Sequence, residues 1–440
     1  MIGVGIFTTP GFVAQMIPHP IAILSVWIAG GLLAFSGAMA YAELAALRPR
    51  AGGEYVYLRE SFGPLAAFLT GWTSFVAGFS GAIAAGAVGA AAYLGRFLPA
   101  AGDARPFFSL SIGPLTLAVS PQALVALAAI AGLTVIHLRG LGPGRLVQNT
   151  LAGVKVAALL VFIALGFALG RGSAAHFHAG GPSVPASSWL LALIPVMFSY
   201  SGWNAAAYVA EEVRDPTRNV PRALALGTLV VVVIFVGLNA LYVYALPIDA
   251  FAGTIKVGET VAAQLMGGSA GTVIGLIALV IILGSLSAMV LAGPRVYFAM
   301  ARDGLFFPSV AKVHADYRTP VAAIVAQAAW SGVLVLSGTF EQLLTYTGFA
   351  VVLFSGVAVC SLFVLRWRQP GEPRPFRAWG YPVAPAVFAL ASLAIVLNAI
   401  HENPRPSLAG LAVIAAGVPV YHLMQHANRR PVAPSTAPRG

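Results

Sequence analysis

Long apolar stretches separated by short polar loops recur along the whole chain, at residues 21–42, 65–95, 121–138, 146–170, 188–210, 222–246, 271–301, 319–337, 341–365, 381–400 and 406–424. Each is long enough to cross a bilayer as a helix, which takes about 20 residues at 1.5 Å per residue. An apolar fragment at 1–17 reads as the outer part of one more span. About 12 transmembrane helices are therefore predicted. The first is expected to be truncated, with its leading half upstream of Gly3 missing, so that Met1 is open to question as the true start. Composition supports lipid as the solvent: 59% of the residues are hydrophobic and 9% charged, against about a quarter charged in soluble domains. Glycine and alanine fill several spans, as between Gly78 and Ala92, where small residues let helix backbones approach closely.

Charge adds orientation. The formal net charge of +11 does not point to nucleic acid, because the basic residues are scattered singly through the loops. When the spans are alternated, nineteen of the 25 Lys and Arg residues fall on one side, five on the other, and Lys155 falls inside a span. The rich side is predicted to be cytoplasmic, with both termini on it and the protein in the cytoplasmic membrane. Residues 426–440 are polar and Pro-rich and read as a disordered cytoplasmic tail. Cys360 is the sole cysteine, which rules out a disulfide within the chain, and His176 and His178 form an isolated H-x-H in a polar loop. No metal and no cofactor is expected. No H-E-x-x-H, nucleophile elbow or phosphate loop points to an enzyme, and the spans lack the polar rings of a channel.

Two spans carry interruptions. Gly3-Val4-Gly5-Ile6-Phe7 lies in the first, and Phe198-Ser199-Tyr200-Ser201-Gly202-Trp203-Asn204 in the sixth, three residues after Pro195. Backbone broken at membrane depth is tolerated where it lines a cavity. One reading is two glycine kinks without function. The other is a pair of discontinuous helices five spans apart, as an inverted repeat of five helices would produce. The second reading has a chemistry. Free N–H groups at a half-helix N-terminus attract a carboxylate, and free carbonyls at a half-helix C-terminus attract an ammonium. Two such ends together complement the common part of an α-amino acid.

Lys155 lies about one-third of the way into the fifth span. Its ammonium either snorkels to the interface near Arg145 or serves a function at depth. Glu43 and Glu54 flank a loop that contains Arg48 and Arg50, and Glu211, Glu212, Arg214, Asp215 and Arg218 crowd the end of the sixth span. These charges read either as an ion-pair network closing an inner gate or as solvated interfacial residues.

At these same positions the chain resembles the amino acid–polyamine–organocation superfamily, most closely its L-type amino-acid transporter branch. The resemblance rests on Ile2-Gly3-Val4-Gly5-Ile6-Phe7 with Pro10, on Tyr41-Ala42-Glu43-Leu44 followed by Gly52-Gly53-Glu54-Tyr55, and on Tyr200-Ser201-Gly202-Trp203-Asn204 followed by Glu211-Glu212 and Asp215-Pro216-Thr217-Arg218-Asn219-Val220-Pro221. Arg295 and Ala301-Arg302-Asp303-Gly304 extend it. It implies an all-α integral membrane protein with the five-plus-five inverted-repeat fold of the leucine-transporter type. The first repeat would cover about 1–170, the second about 187–366, and two extra helices about 381–424, in one domain ending near 425. It further implies a substrate carboxylate at Gly3, Val4, Gly5 and Ile6, an ammonium at Phe198, Ser199 and Ser201, and a pocket wall at Gly202 and Asn204. Phe198, Glu43 and Arg218 would serve as gates. Lys155, with Ser285 and Ser287, would stand where sodium-dependent relatives bind their ion. The implied function is secondary active transport of amino acids by alternating access, sodium-independent, small neutral substrates modestly favoured, with proton coupling and exchange both left open. Residues 96–120 contain no cysteine, so no disulfide-linked ancillary subunit is expected. A sensor that keeps the transporter fold and a polyamine or other organocation permease remain the alternatives.

Overall fold

Prolines in first turns and glycines between helices divide the apolar stretches into discrete elements. The computed structural model describes residues 1–112, 115–140, 145–317, 319–338 and 340–428. In chain order, α1 spans Val4–Met16, α2 Pro20–Leu47, α3 Glu54–Phe62 and α4 Pro64–Thr73. A π-helical turn, Ser74–Gly78, joins α4 to α5, Phe79–Leu94, so one span contains a bulge. An antiparallel hairpin of β1, Phe108–Ile112, and β2, Leu115–Val119, precedes α6, Pro121–Leu138. Ser120 caps α6 by accepting the Ala123 N–H at 3.1 Å, with Pro121 in its first turn. Then come α7, Arg145–Leu169, α8, Ala186–Tyr200, the short α9, Ala205–Tyr208, and α10, Pro216–Ala245. The next loop carries α11, Ile248–Phe251, and α12, Val257–Met266. The chain continues through α13, Gly268–Arg302, α14, Val321–Ser337, α15, Phe340–Arg368, α16, Val383–Glu402, α17, Pro404–Ala415, and α18, Gly417–Asn428.

Among the described residues, nine helical stretches are long and apolar enough to cross a membrane, and α8 and α14 are apolar but shorter. Their outward faces are bare hydrocarbon: Leu226 and Val233 on α10 are 64% and 60% exposed, and Leu390 and Leu397 on α16 are 66% and 57% exposed. Apolar faces of that extent are stable in lipid and not in water. Trp367 and Trp379, also exposed, flank the end of α15 and the start of α16, where aromatic rings suit the headgroup level. The chain is an all-α integral membrane protein, and the one hairpin among the described residues is confined to a loop. Arg318, Arg429, Arg430 and Arg439, which entered the charge count, and the tail from residue 429 lie outside the described residues.

The predicted spans coincide with the observed helices, and the interruption expected in the sixth is present. The stretch 188–210 is not a single span: α8 stops at Tyr200, and the chain turns before α9. Around this broken pair, α10 packs along α2, α1 packs on α8, α13 lies against α5 and α12, and α15 bridges α8, α5 and α16.

Candidate functional site

Two helix ends meet inside the bundle. α1 begins at Val4, and its N-cap, Gly3, is extended and offers no side chain to the first amides. Those amides lack intrahelical partners and carry the positive end of the helix dipole. α8 arrives from the opposite direction and ends at Tyr200. The two lie in close contact: a Cβ on Gly5 would come within 2.6 Å of the Ser199 Cα. Past Tyr200 the backbone reverses through Gly202, whose φ of +90° suits glycine. Gly202 abuts the Met1 backbone nitrogen, which a Cβ there would approach to 3.0 Å. An N-terminal helix end and a C-terminal helix end thus stand side by side at one depth.

A cavity of about 140 Å³ opens beside these ends, lined by Ser201, Gly202 and Asn204 from the break, Ser285 from α13, and Thr73, Ser74, Gly78 and Phe79 around the π-helical turn. That is roughly ten times the space one water needs. Of the residues expected to bind substrate, Ser201, Gly202 and Asn204 line it. Gly3 sits beside it, against the Ser285 hydroxyl, which a Cβ there would approach to 2.6 Å. Val4, Gly5 and Ile6 are buried behind it in α1. Phe198 and Ser199 depart from the expectation: both remain inside α8, buried, and neither lines the cavity. The Phe198 carbonyl is occupied by the Ser201 N–H at 3.0 Å, and the Ser199 hydroxyl donates back to Pro195 O at 3.0 Å. The cavity wall is formed instead by residues one turn later.

Lys155 reaches α13. A Cβ on Gly284 would overlap its Nζ, so the ammonium rests on α13 immediately before Ser285. Ser287 does not share this position. Its hydroxyl is buried and hydrogen-bonds His137 Nε2 of α6 at 2.9 Å. Two faces of one turn of α13 thus serve different neighbours.

The charged face around α3 forms an ion-pair network. Glu43, fully buried, pairs with Arg366 at 2.6 Å and Arg374 at 3.4 Å and accepts the Ala378 N–H at 2.6 Å. Arg48 pairs with Glu60 and Glu372, Arg59 with Asp303, Arg295 with Glu212, and Arg302 with Glu211. The Ala51 N–H holds the Glu211 carboxyl below its ordinary range. Arg218 takes no part in these pairs and lies exposed.

Two residues absent from the sequence-based site belong to it. Glu54 and Tyr208 both line the cavity; the Tyr208 hydroxyl donates to Glu54 Oε1 at 2.7 Å and accepts from Asn204 Nδ2 at 3.0 Å. Glu54 was visible as an acidic residue after Gly52-Gly53, but its partner lies 154 positions away. Among the described residues, no group of three or more His, Cys, Asp or Glu is arranged to hold a metal.

Comparison with known proteins gives the family of the chain. The amino acid permease family model matches residues 1–420. The serine/threonine exchanger SteT of Bacillus subtilis (strain 168) is 30% identical over 433 residues, covering 97% of this chain and 93% of its own length. The Asc-type amino acid transporter 1 of Mus musculus is 27% identical over 432 residues, 96% of this chain and 78% of that protein. The large neutral amino acids transporter small subunit 2 of Homo sapiens is 28% identical over 439 residues, 98% of this chain and 79% of that protein.

Proposed function

The chain belongs to the amino acid permease family, and from that premise we propose that it exchanges small neutral amino acids across the cytoplasmic membrane by alternating access, without sodium. The observation that carries this reading is the meeting of the α1 N-terminus with the α8 C-terminus beside one cavity. Amides at the first end suit a carboxylate, and carbonyls at the second suit an ammonium. A zwitterion satisfies both, while an amine or an acid alone leaves one end uncompensated. The wall around the ends is set by Ser201, Asn204 and Ser285, small polar residues that leave modest room for a side chain.

Lys155 supplies the positive charge that a bound cation would otherwise bring to the junction of α1 and α13. The two broken helices fall in corresponding places of two five-span repeats, about 1–170 and 187–366, with the helices of 381–424 added outside them. The face carrying α3 and its arginines is assigned to the cytoplasm, with both termini.

Uptake of labelled amino acids into proteoliposomes tests the reading. Uptake is expected to need internal amino acid, to proceed equally in sodium and choline media, and to fall at least tenfold in Lys155→Ala while the protein still purifies as a folded species. Uptake that requires sodium, or wild-type rates in Lys155→Ala, would overturn the assignment of that lysine. Binding without uptake under any gradient would make the chain a sensor.

A further inference from the structure

Six acidic residues on the α3 face have an arginine partner: Glu43, Glu60, Glu211, Glu212, Asp303 and Glu372. Glu54 has none. It heads α3 and is the acidic side chain among the described residues lining the cavity, where no Arg or Lys side chain stands. Its Oε1 accepts the Tyr208 hydroxyl at 2.7 Å, while Oε2 is buried and meets no donor. The titratable groups facing it are phenols: Tyr41 from α2, Tyr57 from α3, Tyr208 from α9 and Tyr297 from α13. The Met1 amine lines the same cavity. Burial raises the Glu54 carboxyl from its ordinary 4.5 to about 7, and the Tyr208 hydroxyl offsets only part of that rise.

We propose that Glu54 is the proton-binding residue of the cavity, and that its protonation state sets how tightly α3 is latched, through Tyr208 and Asn204, to the broken end of α8. This rests on the transport reading above and adds the regulation of the same site. As a carboxylate, Glu54 accepts a charge-assisted hydrogen bond from Tyr208 and holds Tyr208 and Asn204 in line. Once protonated it offers Tyr208 only a neutral acceptor, and the unpartnered Oε2 no longer carries buried charge. The latch is tight above neutral pH and slack below it, and the arm formed by α3 is freer to move away from the break when Glu54 is neutral. The proton comes from the water that reaches the cavity, and no covalent bond changes. The linkage has a definite sign. A carboxyl whose pKa is raised on folding contributes stability below its unfolded value, and that contribution is lost as pH rises through about 7.

The test compares wild type, Glu54→Gln and Tyr208→Phe in two measurements. The first is exchange of labelled serine in proteoliposomes with both sides held at one pH between about 5.5 and 8.5, a window centred on the raised carboxyl. The second is tryptophan fluorescence against pH, since Trp203 lines the cavity. Wild-type exchange is expected to rise about threefold to tenfold as pH falls through neutrality, as loosening a charge-assisted hydrogen bond implies. Glu54→Gln, which keeps the shape and an acceptor for Tyr208, is expected to exchange with a flat profile, and its fluorescence should lose the transition near pH 7. Tyr208→Phe keeps the carboxyl but removes its donor, so the midpoint should move upward. A Glu54→Gln protein that retains the wild-type pH profile or the fluorescence transition overturns the proposal, as does an unmoved midpoint in Tyr208→Phe. If no variant exchanges any amino acid at any pH, the transport reading fails, and the fluorescence titration still decides whether Glu54 binds the proton.

Discussion

Glu43 is a charged residue with no exposure to solvent, and its surroundings explain how that is tolerated. Arg366 and Arg374 face it, the Ala378 N–H donates to it, and the Arg366 guanidinium lies 3.6 Å from the Tyr381 ring centroid. A buried pair is a weak source of net stability, but removing one partner leaves the others uncompensated. Glu43→Gln is therefore expected to lower stability by about 3 kcal/mol, read as a fall in thermal midpoint in detergent, with Arg366 and Arg374 stranded. A midpoint within a degree of wild type would mean that these arginines find water instead. The sequence offered an ion-pair network as one reading of these charges and named Phe198, Glu43 and Arg218 as gates. Arg366 stands 323 positions from Glu43, and no local pattern carries a pairing set by the packing of α2 against α15.

The decisive elements are the broken helices. The break after α8 was legible because glycine beside aromatic residues is hard to reconcile with an ordinary membrane helix, its exact limits less so; in the first stretch only Gly3 lies outside the helix, and Val4 to Phe7 are helical. Pro195 loosens α8 without ending it, and the helix persists through Phe198 and Ser199 until Gly202 supplies the positive φ that lets the chain turn. The cavity wall accordingly begins at Ser201. The π-helical turn at Ser74–Gly78 and the partnership of Glu54 with Tyr208 left no signal, because both depend on how distant helices stack. Two substitutions separate the roles of the breaks. In Gly5→Ala the new methyl meets Ser199 backbone, which cannot swing aside; α1 and α8 must part, and exchange is expected to be lost. Gly202→Ala places a side chain in left-handed backbone at a cost of about 1–3 kcal/mol, so a slower protein of lower thermal stability is expected. Normal exchange kinetics in Gly5→Ala would mean that the two helix ends need not touch.

The whole molecule has two unlike faces. One carries α3, the turn Pro308–Ala311 and the ion-pair network; the other carries the β1–β2 hairpin and α12, where Arg96 pairs with Glu259 at 3.2 Å. Counting basic residues assigned the first face to the cytoplasm before any helix packing was known. With Cys360 replaced by alanine, Ser109→Cys in the hairpin should react with an impermeant maleimide added outside cells, and Ser309→Cys should react only after permeabilisation. The reverse pattern would invert the molecule. The central claim is narrower: an amino acid occupies the cavity between the end of α8 and the start of α1. It is tested most directly by Ala205→Cys in the same cysteine-free background, since Ala205 lines the cavity and is exposed to it. Amino acids that the protein exchanges should slow maleimide labelling of this cysteine in a concentration-dependent way, leaving Ser309→Cys unaffected. Undiminished labelling at saturating substrate, in a protein that still exchanges, would place the amino acid elsewhere.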